Sequence, residues 1–265
     1  MVILITGITS GFGRAMAERL CADGHKVYGT HRKAKDFLPG VIYIRADSCS
    51  SEDCEAAVSQ VVDAEGRIDV FINNAGMGIG GPLEFCSLED AERQMDVNWT
   101  GMVRYLHYVL PVMRRQGGGK ILCFSSIGGL MGLPFQGLYS ASKFAIEGFT
   151  EALAAEVTRF GIRVCMVEPG DFATGFTGSR KNSQATLDDP DYGPVFKNSL
   201  AIIEKEENGG LQPEVLARRI VKLVEMKRPP LRNVVANLEQ WLSTVIKRIL
   251  PGNTMVSILR DYYKS

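Results

Sequence analysis

The stretch VILITGITSGFG, residues 2–13, decides which architecture this chain can adopt. Its first half is a run of aliphatic and β-branched residues, which is typical of a buried strand. Its second half places glycine at positions 7, 11 and 13, ahead of a helical pattern over about residues 12–23. Glycine permits a tight turn and a close approach of backbone amides, and the helix N-terminus favours an anion. The stretch therefore predicts a phosphate-binding turn, although such turns also occur for structural reasons alone.

The alternation of apolar runs with helical patterns continues along the chain. Strands are predicted at residues 2–5, 26–30, 41–45, 69–72, 120–124, 162–167 and 233–236, and the longest helices at residues 99–115 and 137–160. This order predicts an α/β fold in one domain, residues 1–265, with helices on both faces of a parallel sheet. Residues 171–210 have a weak, polar pattern, which indicates a long loop serving as a lid or substrate loop.

The composition limits the functional classes. The chain has 265 residues, of which 45% are apolar and 23% charged, and its formal net charge is zero, so nothing indicates a nucleic-acid partner. Its six cysteines form no Cys-x-x-Cys pair, which indicates reduced thiols and no metal site. No apolar run approaches the ~20 residues that cross a bilayer. A soluble, cytoplasmic protein is expected.

Residues 238–265 predict C-terminal amphipathic helices. Apolar residues recur there at helical spacing, at Leu238, Trp241, Leu242, Val245, Ile246, Ile249 and Leu250. Lys247 and Arg248 follow in the last turn, where they suit the helix dipole. The stripe is expected to dock onto the substrate region or onto a second subunit. Peripheral contact with a membrane is the less favoured alternative.

The end of the second predicted strand indicates which dinucleotide the turn would bind. Residues 30–33 read THRK, and no carboxylate follows until Asp36. An acid at this point binds a ribose 2′-hydroxyl, whereas a cation accommodates a 2′-phosphate. Arg32 can hold a phosphate with paired donors, so the pattern favours NADPH, with a solvated basic turn as the alternative. Asp47 and Ser48, after the third strand, are expected at the adenine.

Tyr139 and Lys143 form a candidate proton-transfer pair. They lie four residues apart and therefore share one face of the predicted helix. A free tyrosine has a pKa near ~10, and a neighbouring ammonium and a cationic nicotinamide should both lower it. Ser126, at the end of the fifth strand, could hydrogen-bond a substrate oxygen beside the phenol. Helices often carry a Tyr-x-x-x-Lys pair without function. The pair indicates a catalytic role only together with Ser126 and the glycine turn.

Together these motifs resemble the classical short-chain dehydrogenase/reductase family over about residues 1–175. The resemblance rests on Thr6-Gly7-x-x-x-Gly11-x-Gly13, Asn73-Asn74-Ala75-Gly76, Asn98, Ser126, Tyr139-x-x-x-Lys143 and Pro169-Gly170. It implies a doubly wound Rossmann-type domain with a seven-stranded parallel sheet. It also implies hydride exchange between a carbonyl and an alcohol, and a homodimer or homotetramer built on the two long helices.

The resemblance also assigns roles to individual residues. Ser126, Tyr139, Lys143 and Asn98 would be catalytic, with Asn98 holding a water in a proton relay. The expected coenzyme contacts are Gly7, Thr9, Ser10, Gly11, Phe12, Gly13, His31, Arg32, Asp47, Ser48, Asn74, Ala75, Gly76, Tyr139, Lys143, Pro169, Gly170 and Thr174. Phe12 departs from the usual isoleucine or leucine. His31 stands where NAD-preferring members carry an acid, which favours NADP(H) over NAD(H).

The expected function is NADPH-dependent reduction of a lipophilic ketone or aldehyde, reversible as alcohol oxidation. Apolar residues expected around the substrate are Leu130, Met131, Leu133, Phe135, Phe172 and Phe176. They could equally pack a lid or a subunit contact. An epimerase or dehydratase of the extended family is the second enzymatic hypothesis, but it needs a larger substrate domain. The non-enzymatic alternative is an NADP(H)-sensing protein, which would usually have lost Ser126, Tyr139 or Lys143.

Overall fold

A parallel sheet forms the centre of the computed structural model, which describes residues 1–33, 36–182 and 184–265. The strands are β1 (Val2–Thr6), β2 (Lys26–His31), β3 (Ile42–Arg45), β4 (Val70–Asn73), β5 (Ile79–Gly80), β6 (Gly119–Phe124), β7 (Ile162–Pro169), β8 (Lys181–Asn182) and β9 (Arg232–Val235). Seven of these described strands form one parallel sheet in the order β3-β2-β1-β4-β6-β7-β9, and β5 pairs with β8. The predicted Rossmann-type sheet is confirmed.

Helices connect the strands and cover both faces of the sheet. They are α1 (Gly11–Ala22), α2 (Ser51–Glu65), α3 (Leu88–Met95), α4 (Gly101–Arg115), α5 (Gly137–Val157), α6 (Phe176–Ser179), α7 (Gln184–Asp188), α8 (Tyr192–Asn208), α9 (Pro213–Glu225), α10 (Leu238–Ile249) and α11 (Gly252–Tyr263). Polar side chains begin several of them. Ser50 caps α2 by accepting a hydrogen bond from the Asp53 amide at 3.1 Å, which satisfies an otherwise unpaired N–H.

The core consists of two apolar clusters, one on each face of the sheet. Side chains alternate along a strand, so Leu4 of β1 packs in one cluster and Ile3 in the other. Leu4 shares its cluster with Tyr105 of α4, and Ile3 shares its cluster with Met16 of α1 and Ile220 of α9. Every residue of β1 is buried, which explains why its sequence is an unbroken apolar run.

Residues 171–210 differ from the sequence-based expectation. The predicted long loop is wrong, because the described part of this segment holds α6, α7 and the 17-residue α8. Phe196 and Ile203, seven positions apart on α8, are 1% and 5% exposed. Ser199 and Glu207 are buried on the same helix, so polar residues interrupt its apolar stripe and the signal in the sequence was weak. Helix α3 was missed for the same reason, since Gln94 is its buried residue.

The predicted tail helix is present as α10, but its apolar stripe does not dock onto the substrate region. Leu238 and Ile249 are 72% and 77% exposed, whereas Thr244, on a different side of the helix, is buried. Helix α10 contacts the body of the protein through polar groups, whereas α11 buries Met255 and Tyr263. Gln240, for example, donates a hydrogen bond to the Asp171 carboxylate. Contact of the stripe with a second subunit or a membrane stays a prediction.

Candidate active site

A cavity of about 530 Å³ lies at the carboxyl ends of the sheet strands. The segments that follow β1, β2, β3, β4, β6 and β7 line it, which is the usual ligand position in an open α/β sheet. All the predicted coenzyme contacts border this cavity, as do Ser126, Tyr139 and Lys143. Asn98 is not among the lining residues. The structure thus brings together side chains that are up to 167 positions apart in the sequence, from Gly7 to Thr174.

The glycine turn after β1 is held in place by the segment after β4. Gly7 has φ +73°, a conformation that favours glycine. The Asn74 side-chain amide donates to the carbonyls of Thr6 and Gly7 at 2.9 and 3.0 Å. A Cβ at Gly13 would lie 2.0 Å from the Gly7 oxygen. This close-packed turn, followed directly by the N-terminus of α1, fits the pyrophosphate of a dinucleotide.

Phe12, the residue that departs from the family pattern, is accommodated by aromatic neighbours. Its ring packs edge-on against Phe172 with centroids 4.9 Å apart, and Phe124 lies at 6.2 Å. Such edge-to-face pairs are favourable arrangements of aromatic rings. The larger side chain therefore ties the first turn of α1 to the segment after β7.

The end of β2 and the loop after β3 form a second part of the cavity wall. His31 and Arg32 line it on one side, with Asp47 and Ser48 on the other. Burial, with a smaller contribution from Arg45, lowers the pKa of His31, so its ring is neutral at pH 7. Arg32 is exposed and can reach a ligand without losing a buried partner.

The predicted proton-transfer residues converge at one place. Tyr139 and Lys143 project from α5, and the Lys143 ammonium lies 5.6 Å from the centre of the Tyr139 ring. Lys143 Nζ also donates to the Phe124 carbonyl at 2.9 Å. Ser126 Oγ accepts from the Gly128 amide at 3.1 Å and hydrogen-bonds the Tyr139 phenol. The arrangement can present a hydroxyl proton to a carbonyl oxygen bound beside Ser126.

In the protein without coenzyme the pKa of Tyr139 is raised, and its lowering by Lys143 together with a cationic nicotinamide stays a prediction. Burial raises the pKa of Tyr139 to about 12, although the hydrogen bond with Ser126 acts in the opposite direction. Burial also lowers the pKa of Lys143 to about 8. Desolvation penalises the charged form of each group. The phenol is therefore protonated at pH 7 and can donate a proton.

Asn98 occupies a π-helical turn, Asp96–Thr100, between α3 and α4. Its side chain accepts from the Met77 amide at 2.8 Å and donates to the Met77 carbonyl at 3.0 Å. It also donates to Ser142 at 3.0 Å, next to Lys143 on α5. π-Helical turns are frequent at functional sites. In this structure Asn98 fixes the segment after β4 against α5, and its role in a proton relay stays a prediction.

A buried ion cluster fixes the helix that carries Tyr139 and Lys143. Arg232 of β9 pairs with Glu147 of α5 at 2.5 Å and with Glu168 of β7 at 2.6 Å. It also pairs with Glu151, one turn further along α5, at 2.7 Å. Burial and then the charge of Glu147 raise the pKa of Glu168 to about 7. The cluster links α5 to two strands, and nothing in the sequence pattern indicated it.

The remaining cavity wall includes residues that sequence analysis missed. Of the six predicted apolar substrate contacts, Leu133, Phe172 and Phe176 line the cavity, whereas Leu130, Met131 and Phe135 do not. The lining residues that had not been singled out include Arg93, Gln136, Ile203, Glu206, Glu207 and Tyr263. Most of them come from α8 and the tail, where the sequence carried no motif. The sequence predicted only the segments that build this wall, about residues 128–138, 171–210 and the tail, and not these individual residues.

The fold and this site together define a Rossmann-type oxidoreductase that uses a nicotinamide dinucleotide. More narrowly, the chain belongs to the short-chain dehydrogenase/reductase family, whose model, described as short chain dehydrogenase, matches residues 1–185. Among relatives, 3-ketodihydrosphingosine reductase of Bacteroides thetaiotaomicron is 49% identical over 262 residues, 99% of this chain and 97% of the relative. Retinol dehydrogenase 8 of Bos taurus is 36% identical over 87% of this chain and 80% of its own length. A short-chain dehydrogenase from Streptomyces avermitilis superposes with a TM-score of 0.83 at 29% identity, covering 100% and 98% of the two chains.

Two further features of the described residues concern membrane-spanning helices and cysteine thiols. None of their helices is both long and apolar enough to cross a bilayer. All six cysteines are free, and three of them, Cys54, Cys123 and Cys165, are buried. Burial raises the pKa of each buried thiol to about 12, so these groups are unreactive at neutral pH.

Proposed function

We propose that this protein reduces a lipophilic ketone to an alcohol with NADPH, and that the same site catalyses the reverse oxidation. The observation that carries the proposal is the convergence of Ser126, Tyr139 and Lys143 in the cavity that also contains the glycine turn. A bound nicotinamide would supply the hydride in this reaction. The protein's own side chains would manage the proton and the position of the carbonyl.

The proton step follows from the protonation states of the site. Tyr139, whose pKa is about 12, is protonated at pH 7 and gives its hydroxyl proton to the carbonyl oxygen. Ser126 hydrogen-bonds that oxygen and holds it beside the phenol. Lys143, held through its hydrogen bond to Phe124, would stabilise the negative charge left on Tyr139 and would help to hold the coenzyme ribose. Asn98 supports this arrangement by holding Met77 against α5.

The lipophilic substrate is inferred from the apolar part of the wall and from the relatives. Leu133, Phe172 and Phe176 line the cavity near Tyr139, whose ring lies 5.7 Å from that of Phe176. Apolar and aromatic linings with a few polar groups are typical of sites for small apolar ligands. Because one relative is named for 3-ketodihydrosphingosine and another for retinol, ketones with long or bulky hydrocarbon parts are the first candidates.

The function is tested by following NADPH consumption with a panel of long-chain, steroid and retinoid carbonyl compounds. We expect turnover with at least one long-chain ketone, 3-ketodihydrosphingosine first, and identification of the alcohol by mass spectrometry. The measurement is repeated with Tyr139→Phe to exclude a contaminating reductase. Tight NADPH binding without consumption of any carbonyl would contradict the proposal and favour a coenzyme-sensing protein.

The proposed preference for NADPH depends on Arg32. Replacing it with alanine removes the guanidinium that would pair with the 2′-phosphate, a charge-assisted contact. We expect the Kd for NADPH to rise roughly 10- to 100-fold, with little change for NADH. Arg228→Ala, an exposed arginine outside the cavity, serves as the control. Equal affinity of the wild-type protein for the two coenzymes would contradict this prediction.

A further inference from the structure

Besides Asp47 at the coenzyme end, three carboxylates line the cavity that holds Ser126 and Tyr139, and the proton-transfer chemistry does not use them. They are Asp171, directly after β7, and Glu206 and Glu207, at the end of α8. The charges of Asp171 and Glu207 both raise the pKa of Tyr139. These two carboxylates therefore lie within electrostatic reach of the hydroxyl that faces the substrate carbonyl.

Glu207 has charged and polar partners within the protein. One of its oxygens pairs with Arg180, whose side chain is 2% exposed, and the other accepts from the Thr177 hydroxyl at 2.7 Å. This pair accounts for the charge of Glu207 without a ligand, whereas Arg180 Nη1 is buried without a hydrogen-bond partner among the described residues. Glu207 is therefore a structural anchor that also contributes negative charge to the cavity.

Among the described residues, the side chains of Asp171 and Glu206 accept hydrogen bonds from neutral donors. Asp171 Oδ2 accepts from the Gln240 amide, and Glu206 Oε1 accepts from the Tyr262 hydroxyl. Burial and then the charges of Glu206 and Glu207 raise the pKa of Asp171 to about 7, and burial also raises that of Glu206. When ionised, Asp171, Glu206 and Glu207 therefore carry more negative charge than the ion pair of Glu207 with Arg180 balances.

The surroundings make this imbalance costly for the free protein. Phe172, Phe176 and Ile203 line the same cavity, so the carboxylates border an apolar space instead of open solvent. Carboxylates in such a place are stabilised by a cation or by taking up protons. Among the described residues, no three acidic, histidine or cysteine side chains are arranged to hold a metal ion. The free protein can therefore stabilise these groups by taking up protons, and a cationic group of the substrate would stabilise their charged forms.

We infer that the substrate is a lipophilic ketone bearing a protonated amine close to the carbonyl, and that Asp171 and Glu206 bind this ammonium group. The inference rests on the proposed ketone reduction, because it places the amine relative to the carbonyl beside Tyr139. Phe172, Phe176 and Ile203 would contact the hydrocarbon part. An uncharged ketone would leave the carboxylates unpaired, and an anionic one would be repelled, so the wall selects for amino ketones.

The test compares two long-chain ketones that differ only in the amino group. One is 3-ketodihydrosphingosine, and the other has hydrogen in place of the amine. Asp171→Asn and Glu206→Gln remove the charge but keep an oxygen that can accept from Gln240 or Tyr262. For the double variant we expect kcat/KM with the amino ketone to fall roughly 10- to 100-fold, and that with the deamino ketone to be nearly unchanged.

Controls separate loss of charge recognition from loss of folding. Glu204→Gln changes a glutamate of the same helix that does not line the cavity, and should leave both kcat/KM values unchanged. NADPH affinity and the melting temperature report whether each variant is folded. If the double variant does not fold, the two ketones are compared with the wild-type protein alone. Its kcat/KM should then be at least about tenfold higher for the amino ketone than for the deamino ketone.

The outcomes distinguish this inference from the proposed function. A selective loss with the amino ketone supports the ammonium site. Equal losses with both ketones, no loss with either, or a wild-type protein that reduces both equally well would overturn it and leave ketone reduction standing. Failure of the wild-type protein to reduce any carbonyl compound would contradict the proposed function, and with it this inference.

Discussion

Tyr139→Phe is expected to reduce turnover by the ~100- to 10,000-fold typical of a lost general acid, while leaving coenzyme affinity nearly intact. The substitution removes one oxygen and keeps the ring. That ring packs against Phe176 with centroids 5.7 Å apart and lies beside the Lys143 ammonium, so both contacts survive. Ser126 can still hold the substrate oxygen, but no hydroxyl beside it can supply the proton.

The measurement is single-turnover reduction of a carbonyl substrate, together with NADPH binding by fluorescence. Tyr192→Phe is the matched control, because the same hydroxyl is removed from α8 at a position outside the cavity. It should leave turnover unchanged. Retained turnover in Tyr139→Phe would show that this phenol is not the proton donor. Weakened coenzyme binding would show that Tyr139 acts mainly in binding the coenzyme.

The sheet was predictable from sequence because its strands are buried on both faces. Strand β1 illustrates this, because four of its five residues are apolar and Thr6 is buried with its hydroxyl hydrogen-bonded. A continuous apolar run of this kind differs from the alternating pattern of a strand with one exposed face. Helices α3 and α8 were not predicted. Gln94 of α3 is buried through hydrogen bonds to Ile79 and Met77, a partnership that depends on the folded chain and leaves no apolar stripe.

The coenzyme side of the cavity was predictable for a different reason. Parallel strands place the residues that follow them along one edge, so motifs at strand ends must meet there. The substrate side has no such rule. Glu206 and Tyr263 reach the cavity only because α8 and α11 pack together, as in the hydrogen bond from Ser199 to the Tyr263 carbonyl at 2.7 Å. Sequence spacing gives no indication of such contacts.

The direction of the Tyr139 pKa shift could not be predicted from the sequence either. A lysine four residues away predicts a lower pKa, since an ammonium favours a phenolate. The structure shows that both groups are buried, and burial raises the pKa of Tyr139 while lowering that of Lys143. Burial depends on the whole fold, and therefore the sequence could identify the two residues but not the balance between charge and desolvation.

Gly13→Ala is expected to weaken coenzyme binding more than any other single-methyl change in the glycine turn. The new Cβ would lie 2.0 Å from the Gly7 oxygen and 2.7 Å from the Asn74 side-chain nitrogen. Neither neighbour can move freely. The Gly7 oxygen accepts from Asn74 at 3.0 Å, and the Gly7 amide donates to the Thr30 carbonyl at 3.1 Å. Relief of the clash must therefore displace the turn that fits the pyrophosphate.

Such overpacking typically costs ~1–3 kcal/mol. If this cost reduces the free energy of NADPH binding, the Kd for NADPH would rise roughly 5- to 150-fold. Titration calorimetry measures the Kd, and thermal unfolding without coenzyme measures any cost to the fold. Gly148→Ala is the matched control, since this glycine of α5 has no atom within 4 Å of an added Cβ. It should bind NADPH normally and be slightly more stable, because alanine favours a helix. Normal NADPH affinity in Gly13→Ala would show that the coenzyme does not depend on this turn, and the assignment of the cavity would then have to change.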